Sequence, residues 1–216
     1  MATTTPGHLA ARKKPLQARS VVTLDAIFEA TIQVLLAQGL NRLTTTRVAD
    51  RAGVSVGTMY QYFPHKQALL YALNERYLDM VADRIETACS QHAGVPIAEM
   101  VDALVNTYWA AKTERSDVTR ALYRAAVELD NDALIAAFAQ RVDTATIAMF
   151  STAPDARFAD LPLVNTTLLA VIFGSVRNVF ERRLPAGLEN DVRDQLAQMC
   201  RSYLNQVALT DADAPS

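Results

Sequence analysis

Residues 44–66 read TTTRVADRAGVSVGTMYQYFPHK, and this stretch decides the fold of the chain. Thr44 can cap a short helix that ends at Gly53, because threonine favours the N-cap and glycine favours the position after the last turn. A second short helix follows Ser55 and ends before Pro64, since proline disfavours a helical conformation in the residue that precedes it. Two short helices joined by a tight turn predict helix-turn-helix geometry.

A longer helix is predicted before this stretch, over residues 20–39. Its inward positions repeat at i, i+3, i+4, i+7 and i+8, which is the spacing of an amphipathic helix. These positions are occupied by Ile27, Ala30, Thr31, Val34 and Leu35. A pair of short helices buries little apolar surface alone, so we expect the three helices to form one domain over residues 20–65. Residues 1–19 lack periodicity and are predicted to be a flexible basic arm.

The remainder of the chain is also predicted to be helical. Seven Gly and eight Pro are few for 216 residues, which argues against an all-β chain with many tight turns. Apolar residues recur with helical spacing in segments that begin near residues 66, 96, 117, 131, 163 and 188. The sequence therefore predicts an all-α protein of about nine helices, in which a larger helical domain over residues 66–210 follows the helix-turn-helix domain. Residues 211–216 are predicted to be a disordered tail.

Composition excludes several classes of protein. Half of the residues are hydrophobic and one fifth are charged, which is typical of a globular chain. We expect no membrane span, because no run approaches the ~18 apolar residues that a span needs, and residues 1–14 lack the apolar core of a secretion signal. Two distant cysteines, Cys89 and Cys200, exclude a disulfide framework. The three histidines show no metal-ligand spacing, so we expect a cytoplasmic protein without a metal or cofactor.

The charge is distributed unevenly along the chain, although its net value is only −2. Residues 1–66 contain eight basic and three acidic residues, whereas residues 67–216 contain 13 basic and 20 acidic residues. A basic N-terminal segment on an acidic body indicates a polyanion partner at that end. Within the segment, the helix N-terminus at residues 44–46 can bind a phosphate through its N–H groups, and Lys66 can bind another.

Enzymatic motifs are absent from the sequence. Residues 173–177 read FGSVR and lack the second glycine of a G-x-S-x-G nucleophile elbow. No glycine-rich phosphate loop occurs either, and no strand is predicted to precede one. We therefore expect a protein that is not an enzyme. A helical carrier or protein-interaction module without DNA contact is the alternative to a DNA-binding protein.

Residues 44–66 also match the sequence pattern of a protein family. The residues that match the pattern are Thr44, Val48, Ala49, Ala52, Gly53, Val54, Ser55, Gly57, Thr58, Met59, Tyr60, Tyr62, Phe63 and Lys66. On these residues the segment resembles the DNA-binding domain of the TetR family of bacterial transcriptional regulators. The resemblance covers roughly residues 20–90, and the rest of the chain is similar to the family in size and helical content. It implies a ligand-responsive repressor that binds a palindromic operator as a homodimer.

The resemblance implies DNA contacts for residues of both short helices. Those near the bases or the adjacent backbone are Thr45, Thr46, Val56, Gly57, Thr58 and Tyr60, and those on phosphates are Gln61, Tyr62 and Lys66. Val56 departs from many relatives, which have a polar or basic residue there. Because valine makes only apolar contacts, such as one to a thymine methyl, part of the sequence readout must pass to Thr45, Thr46 or Arg47, or to DNA shape.

The resemblance further implies an effector pocket among the central helices, for a small apolar or aromatic ligand. The candidate lining residues are Tyr77, Met80, Tyr108, Trp109, Tyr123, Phe138, Met149 and Phe173. Aromatic residues at helical spacing also form ordinary cores, so core packing is the alternative for each of them. Three arginines could meet an anionic ligand or remain solvated, namely Arg84, Arg120 and Arg124.

The last two helices are the predicted dimer interface. Residues 163–183 are apolar on an arc too wide to be covered from one side. The resemblance implies a two-fold, four-helix interface built from this helix and the next, and the candidate residues are Leu168, Ile172, Ser175, Val179, Leu196, Met199 and Tyr203. A homodimer would hold two helix-turn-helix domains ~34–36 Å apart, which matches the spacing of the half-sites in a palindromic operator. A larger monomer core is the alternative.

Overall fold

The computed structural model describes residues 18–182 and 184–209, and these residues form nine α-helices and no strand. The helices are α1 (Ala18–Gln38), α2 (Thr45–Ala52), α3 (Val56–Tyr62), α4 (Lys66–Gln91), α5 (Ile97–Thr113), α6 (Ser116–Ala126), α7 (Asp132–Phe150), α8 (Leu161–Arg182) and α9 (Ala186–Val207). A short 3-10 turn, Leu40–Arg42, lies between α1 and α2. The predicted all-α fold is therefore confirmed. The predicted tail, and the predicted arm apart from its last two residues, lie outside the described residues.

The turn between α2 and α3 has the local structure that its residues predict. The side-chain oxygen of Thr44 accepts a hydrogen bond from the backbone N–H of Arg47 at 3.3 Å and caps α2. Gly53 follows the last turn with a φ of 68°, a left-handed conformation that glycine adopts without strain. The side-chain oxygen of Ser55 accepts a hydrogen bond from the backbone N–H of Thr58 at 2.9 Å and caps α3. These contacts determine where each short helix begins or ends.

The chain divides into two compact units. Among the described residues, the first unit contains those up to residue 79 and residues 117–137, and the second contains residues 80–116 and those from residue 138 onward. The DNA-binding domain predicted from the helix-turn-helix pattern ends at residue 65. The first unit is larger than that domain, because it also takes in the first part of α4, most of α6 and the first part of α7.

The core of the first unit explains why α6 belongs to it. Residues of α1, α2, α3 and α4 form this core together with three residues of α6, which are Val118, Leu122 and Ala125. The rings of Phe28 and Phe63 lie 5.9 Å apart within it. Fully burying an apolar side chain contributes roughly 1.5–3 kcal/mol, so this core stabilises two helices that are too short to be stable alone.

The second unit is built around α5, which packs against α8 and α9. The buried face of α5 includes Met100, Val101, Leu104 and Val105. Arg201 of α9 donates a hydrogen bond to the carboxylate of Asp102 and ties these two helices together. Cys89 and Cys200 are free thiols, and burial raises the pKa of each to about 11. Both cysteines are therefore poor nucleophiles at neutral pH.

Three helices in the described part of the chain are long and apolar enough, by length and composition, to cross a membrane. The segments are Ser20–Gln38, Asp132–Phe150 and Leu161–Val179. Polar residues interrupt each segment, so none is an unbroken run of ~18 apolar residues. Alanine and branched residues raise the mean hydropathy of these helices even where polar residues interrupt the apolar run. In this fold each of the three helices buries one face in a protein core, as amphipathic helices do.

Candidate nucleic-acid interface

The helix-turn-helix has one buried side and one exposed side. Buried residues are Thr45, Val48 and Ala49 in α2, and Met59 and Tyr62 in α3. Seven of the predicted DNA-contacting residues have exposed side chains, namely Thr44, Thr46, Arg47, Val56, Gly57, Tyr60 and Gln61. The core of the first unit thus leaves most of the predicted residues in solvent, where a duplex can reach them.

The outer face of α3 combines two exposed apolar side chains with a glycine. Val56 and Tyr60 are one helical turn apart and are 39% and 43% exposed. A β-carbon built at Gly57 would have one neighbour within 4 Å, the side-chain oxygen of Ser55 at 3.7 Å. Because this space is open, a partner can approach the backbone of α3 closely. Such a face suits contact with base edges in the major groove, which is wide enough to admit an α-helix.

The hydroxyl of Thr58 has a partner inside the turn. It lies 2.8 Å from the side-chain oxygen of Ser55, which also accepts the backbone N–H of Thr58. Thr58 is half-buried, so its hydroxyl is held in the cap of α3. Ser55 is exposed at the start of the same helix and is not among the predicted DNA contacts. Its sequence signal is the N-cap position itself, because an N-cap serine lies beside N–H groups that attract phosphate.

Two arginines of α2 bind residues of α1 and of the turn that follows it. The guanidinium of Arg47 donates to Gln38 Oε1 at 3.0 Å and to the carbonyl oxygen of Arg42 at 2.8 Å. Arg51 Nε donates to Gln33 Oε1 at 2.7 Å. These bonds orient α2 against α1. A contact from Arg47 to a base would require its guanidinium to exchange these protein partners.

Thr45 and Tyr62 are predicted DNA contacts whose side chains lie mostly in the core. Thr45 is buried in the first turn of α2. Tyr62 is only 5% exposed, and its ring centroid lies 6.3 Å from that of Phe63. Tyr60 faces solvent instead, because residues two apart on a helix point about 200° apart. The side chains of Thr45 and Tyr62 therefore support α2 and α3 from the inside.

Lys66 begins α4 and lies beside the turn that follows α1. Its Nζ donates to the carbonyl oxygen of Leu40 at 3.5 Å, and its side chain is half-buried. His65 caps the same end of α4, where its Nδ1 accepts the backbone N–H of Ala68 at 3.1 Å. A lysine and a helix N-terminus at one place both favour a phosphate.

The predicted effector-pocket residues fall into both compact units. Tyr77 and Tyr123 belong to the first unit, where the Tyr77 hydroxyl lies 2.8 Å from Thr119 Oγ1. The six in the second unit are Met80, Tyr108, Trp109, Phe138, Met149 and Phe173. Within the second unit the ring of Phe173 lies 4.4 Å from that of Tyr108 and 5.7 Å from that of Phe138. These three rings, the aromatic cluster, join α5, α7 and α8, whereas Trp109 and Met149 are buried without belonging to it.

Lys112 adjoins the aromatic cluster through Tyr108 and is not among the residues predicted from the sequence. It is 1% exposed, and its Nζ lies 5.4 Å from the ring centroid of Tyr108, one turn earlier on α5. Burial lowers the pKa of its ammonium group to about 7. The sequence does contain a signal for the burial of Lys112. The apolar stripe that contains Leu104 and Tyr108 has Lys112 at its next i+4 position.

A surface groove of about 390 Å³ lies between α4 and α5, and it is lined by Asp83, Arg84, Thr87, Ala88, Gln91, Thr107 and Ala110. None of the predicted pocket residues lines this groove. Its cation is already engaged, because Arg84 Nη1 donates to Glu114 Oε2 at 2.7 Å. Among the described residues, no group of three or more His, Cys, Asp or Glu side chains could hold a metal ion.

Most of the predicted dimer residues are buried inside the chain itself. Those in the core of the second unit are Leu168, Ile172 and Val179 of α8 and Leu196 of α9. Ser175 and Tyr203 are half-buried, and Met199 is 49% exposed. The wide apolar arc of α8 thus packs against α5 and α9 of the same chain. The exposed residues of α8 are mostly smaller and include Leu163, Thr166, Thr167, Ala170 and Gly174.

Comparison with known proteins places both parts of the chain in one family. The family model described as bacterial regulatory proteins, tetR family, matches residues 27–73, which contain the whole helix-turn-helix. The model described as tetracyclin repressor-like, C-terminal domain, matches residues 96–204, about half of the chain.

Curated relatives are similar over part of the chain. The nucleoid occlusion factor SlmA of Haemophilus ducreyi is 33% identical over 97 residues, which are 45% of this chain and 47% of SlmA. The uncharacterised HTH-type transcriptional regulator YvdT of Bacillus subtilis is 27% identical over 94 residues, 44% of this chain and 47% of YvdT. The chain therefore spans about half the length of these curated relatives.

Solved structures share the fold over most of the chain. A TetR family transcription regulator from Marinobacter aquaeolei superposes with a TM-score of 0.62 at 18% identity, over 89% of this chain and 98% of that one. A TetR-family regulator from Streptomyces coelicolor superposes with a TM-score of 0.60 at 22% identity, over 86% and 99%. Such low identities establish the fold alone. With the family matches at residues 27–73 and 96–204, they lead to the conclusion that the chain belongs to the TetR family of bacterial transcriptional regulators.

Proposed function

We propose that the protein is a ligand-responsive repressor that binds a palindromic DNA operator as a homodimer. The observation that carries this proposal is the exposed face of α3, where Val56, Gly57 and Tyr60 leave the helix open to a partner. This helix lies within the part of the chain that matches the regulator family. The basic character of the N-terminal segment supports a polyanion partner.

Contacts to the DNA backbone come from α2, the end of α3 and the start of α4. The N–H groups at Thr45 and Thr46 favour a phosphate, because a helix N-terminus carries partial positive charge. Gln61 adds an exposed amide and Lys66 adds a cation. Such contacts set the position of a protein on the duplex but carry no sequence information. The bonds from Arg47 to α1 and to the turn after it keep α2 in the orientation that this docking needs.

Sequence readout comes from α3. Gly57 lets the helix backbone approach the base edges, and Val56 then packs against a thymine methyl. Tyr60, one turn further along, contacts a base edge or the adjacent sugar. Because valine cannot hydrogen-bond a base, the remaining selectivity depends on the shape and deformability of the duplex.

The dimer interface is formed by the exposed positions of α8 and α9, because their core residues already pack within one chain. Ala170 and Gly174 lie one turn apart on α8, and their small side chains let a second helix approach closely. Met199 is an exposed apolar anchor on α9. Two copies joined here hold two α3 helices ~34–36 Å apart, which is one turn of the duplex.

An effector bound in the second unit releases the operator. A ligand shifts such an equilibrium only by the difference in its affinity for the two conformations of the protein. The aromatic cluster of α5, α7 and α8 suits an apolar or aromatic ligand. The protein acts in the cytoplasm on the chromosome, and it carries out no enzymatic step.

Replacement of Gly57 by alanine tests the proposal without disturbing the fold. The added methyl group enters open space in the free protein, but it would enter the closest part of the DNA interface. Overpacking of a tight contact costs roughly 1–3 kcal/mol, so we expect operator affinity to fall about 5- to 150-fold. Fluorescence anisotropy with the promoter segment upstream of the protein's own gene measures this loss, and a scrambled duplex measures non-specific binding.

Gly187→Ala in α9 is the matched control. A β-carbon at Gly187 also meets nothing within 4 Å, and its φ is not in the left-handed region. We expect the control variant to bind DNA like the wild type, while both variants melt at or slightly above the wild-type temperature because alanine favours a helix. If the two variants bind the operator with equal affinity, α3 is not part of the DNA interface. Absence of any salt-dependent duplex binding by the wild type would favour a carrier or protein-interaction module instead.

A further inference from the structure

We infer that the effector is an organic carboxylate with a flat apolar body, and that Lys112 binds the carboxylate while the aromatic cluster binds the body. This inference rests on the proposed function, because it names the ligand class of the effector site in the second unit.

Lys112 adjoins one ring of the aromatic cluster, that of Tyr108. Tyr108 and Lys112 lie one turn apart on α5, with the Lys112 Nζ 5.4 Å from the Tyr108 ring centroid. Phe173 of α8 lies 4.4 Å from Tyr108, and Phe138 of α7 lies 5.7 Å from Phe173. The neighbouring rings are tilted by 35° and 45° and do not form a parallel stack. Aromatic rings pack against further flat groups in tilted and offset arrangements of this kind.

The amino group of Lys112 lies where a cation is unfavourable. Lysine is almost never fully buried in proteins, because its ammonium group loses its hydration there. Attraction to the Tyr108 ring favours the cation, but desolvation dominates and lowers the pKa to about 7. A ligand carboxylate beside Nζ would favour the ammonium form of Lys112. A neutral ligand of the same shape would gain less, because its hydrogen bond to this group is not between opposite charges.

The single amino group favours a carboxylate over a phosphate. A lysine ammonium is a compact point charge with three donors, whereas phosphate groups are typically bound by several donors or by a bidentate arginine. The side chains of the adjoining cluster are aromatic and suit the apolar body of the ligand. A monovalent anion with such a body therefore matches both parts of the site.

The test compares carboxylates with their neutral amides on the purified full-length protein in the absence of DNA. The probes are benzoate, trans-cinnamate and 1-naphthoate, each paired with its amide. Trp109 is the one tryptophan of the sequence and follows Tyr108 on α5, so its fluorescence reports binding. We expect at least one carboxylate to bind the wild type about 10- to 100-fold more tightly than its amide, which is the range of a charge-assisted hydrogen bond.

Two variants locate the binding site. Lys112→Met should remove the preference for the carboxylate and change the affinity for the amide much less. Arg84→Met is the control, because Arg84 lines the surface groove and is not part of the aromatic cluster; it should leave the preference intact. The inference is wrong if none of the carboxylates binds, if carboxylate and amide bind equally, or if Arg84→Met rather than Lys112→Met removes the preference.

If the Lys112→Met variant does not fold, a second measurement on the wild type tests the same inference. Reductive methylation of the wild type, followed by mass spectrometry, measures the accessibility of Lys112, and bound 1-naphthoate should slow methylation of Lys112 relative to Lys66. Equal slowing at both lysines, or none, contradicts the inference. The proposed function fails separately: a protein that binds these carboxylates through Lys112 but binds no duplex refutes the repressor proposal alone. A protein that binds its operator but shows no preference for the carboxylates refutes this inference alone.

Discussion

Replacement of Lys112 by methionine should change how the stability of the protein depends on pH. Methionine has a similar length and fills the same space without a charge. The pKa of Lys112 is about 7 in the folded protein, against an ordinary value of 10.5. Between these values the unfolded chain holds a proton that the folded protein has released. The free energy of unfolding of the wild type therefore rises with pH across this range. The stability gained in this way is lost again as the pH falls toward 7.

The size of the effect follows from the shift in pKa. One pKa unit corresponds to about 1.4 kcal/mol, so the full penalty on the buried ammonium is on the order of 5 kcal/mol. Half of the folded molecules are protonated at pH 7, where the penalty is about 4 kcal/mol, and at pH 9 it is about 2 kcal/mol. The Lys112→Met variant has no such penalty. It should be more stable than the wild type at pH 7, and its advantage should shrink by about 2 kcal/mol at pH 9.

Urea unfolding of both proteins at pH 7, 8 and 9 measures this difference, with the same protein concentration throughout because a dimer would link stability to concentration. The series ends at pH 9 because the thiols of Cys89 and Cys200, with pKa values raised to about 11, make stability fall as the pH rises further. A stability difference that stays constant from pH 7 to pH 9 would refute the reasoning, since Lys112 would then keep its charge on folding.

Three further variants have defined outcomes. Gly53→Ala puts a β-carbon at a φ of 68° and should lower the free energy of unfolding by about 1–2 kcal/mol; an unchanged melting temperature contradicts the need for glycine. Lys66→Ala should reduce the slope of log affinity against log salt concentration by about 1, and an unchanged slope in a gel-shift titration excludes a phosphate contact. Met199→Glu should shift sedimentation toward the monomer, whereas a persistent dimer places the interface elsewhere.

Sequence alone was sufficient for the helices, the turn and the family. Thr44, Gly53 and Ser55 act on residues within three or four positions, so their spacing predicts both short helices, and the structure contains both. The long helices follow from apolar periodicity in the same way. The family follows from one stretch because all the matching residues lie within residues 44–66.

The tertiary structure decided which side of each helix is covered, and by what. Helical spacing shows a wide apolar arc on α8, but it does not say whether a second copy covers Leu168 and Ile172 or, as found, the same chain does. The guanidinium of Arg47 is engaged by the end of α1 and the turn after it. Lys112 is buried beside Tyr108, whose ring contacts Phe173 of α8, far along the chain. Burial and charge environment depend on contacts between residues distant in sequence, and a local pattern does not contain those contacts.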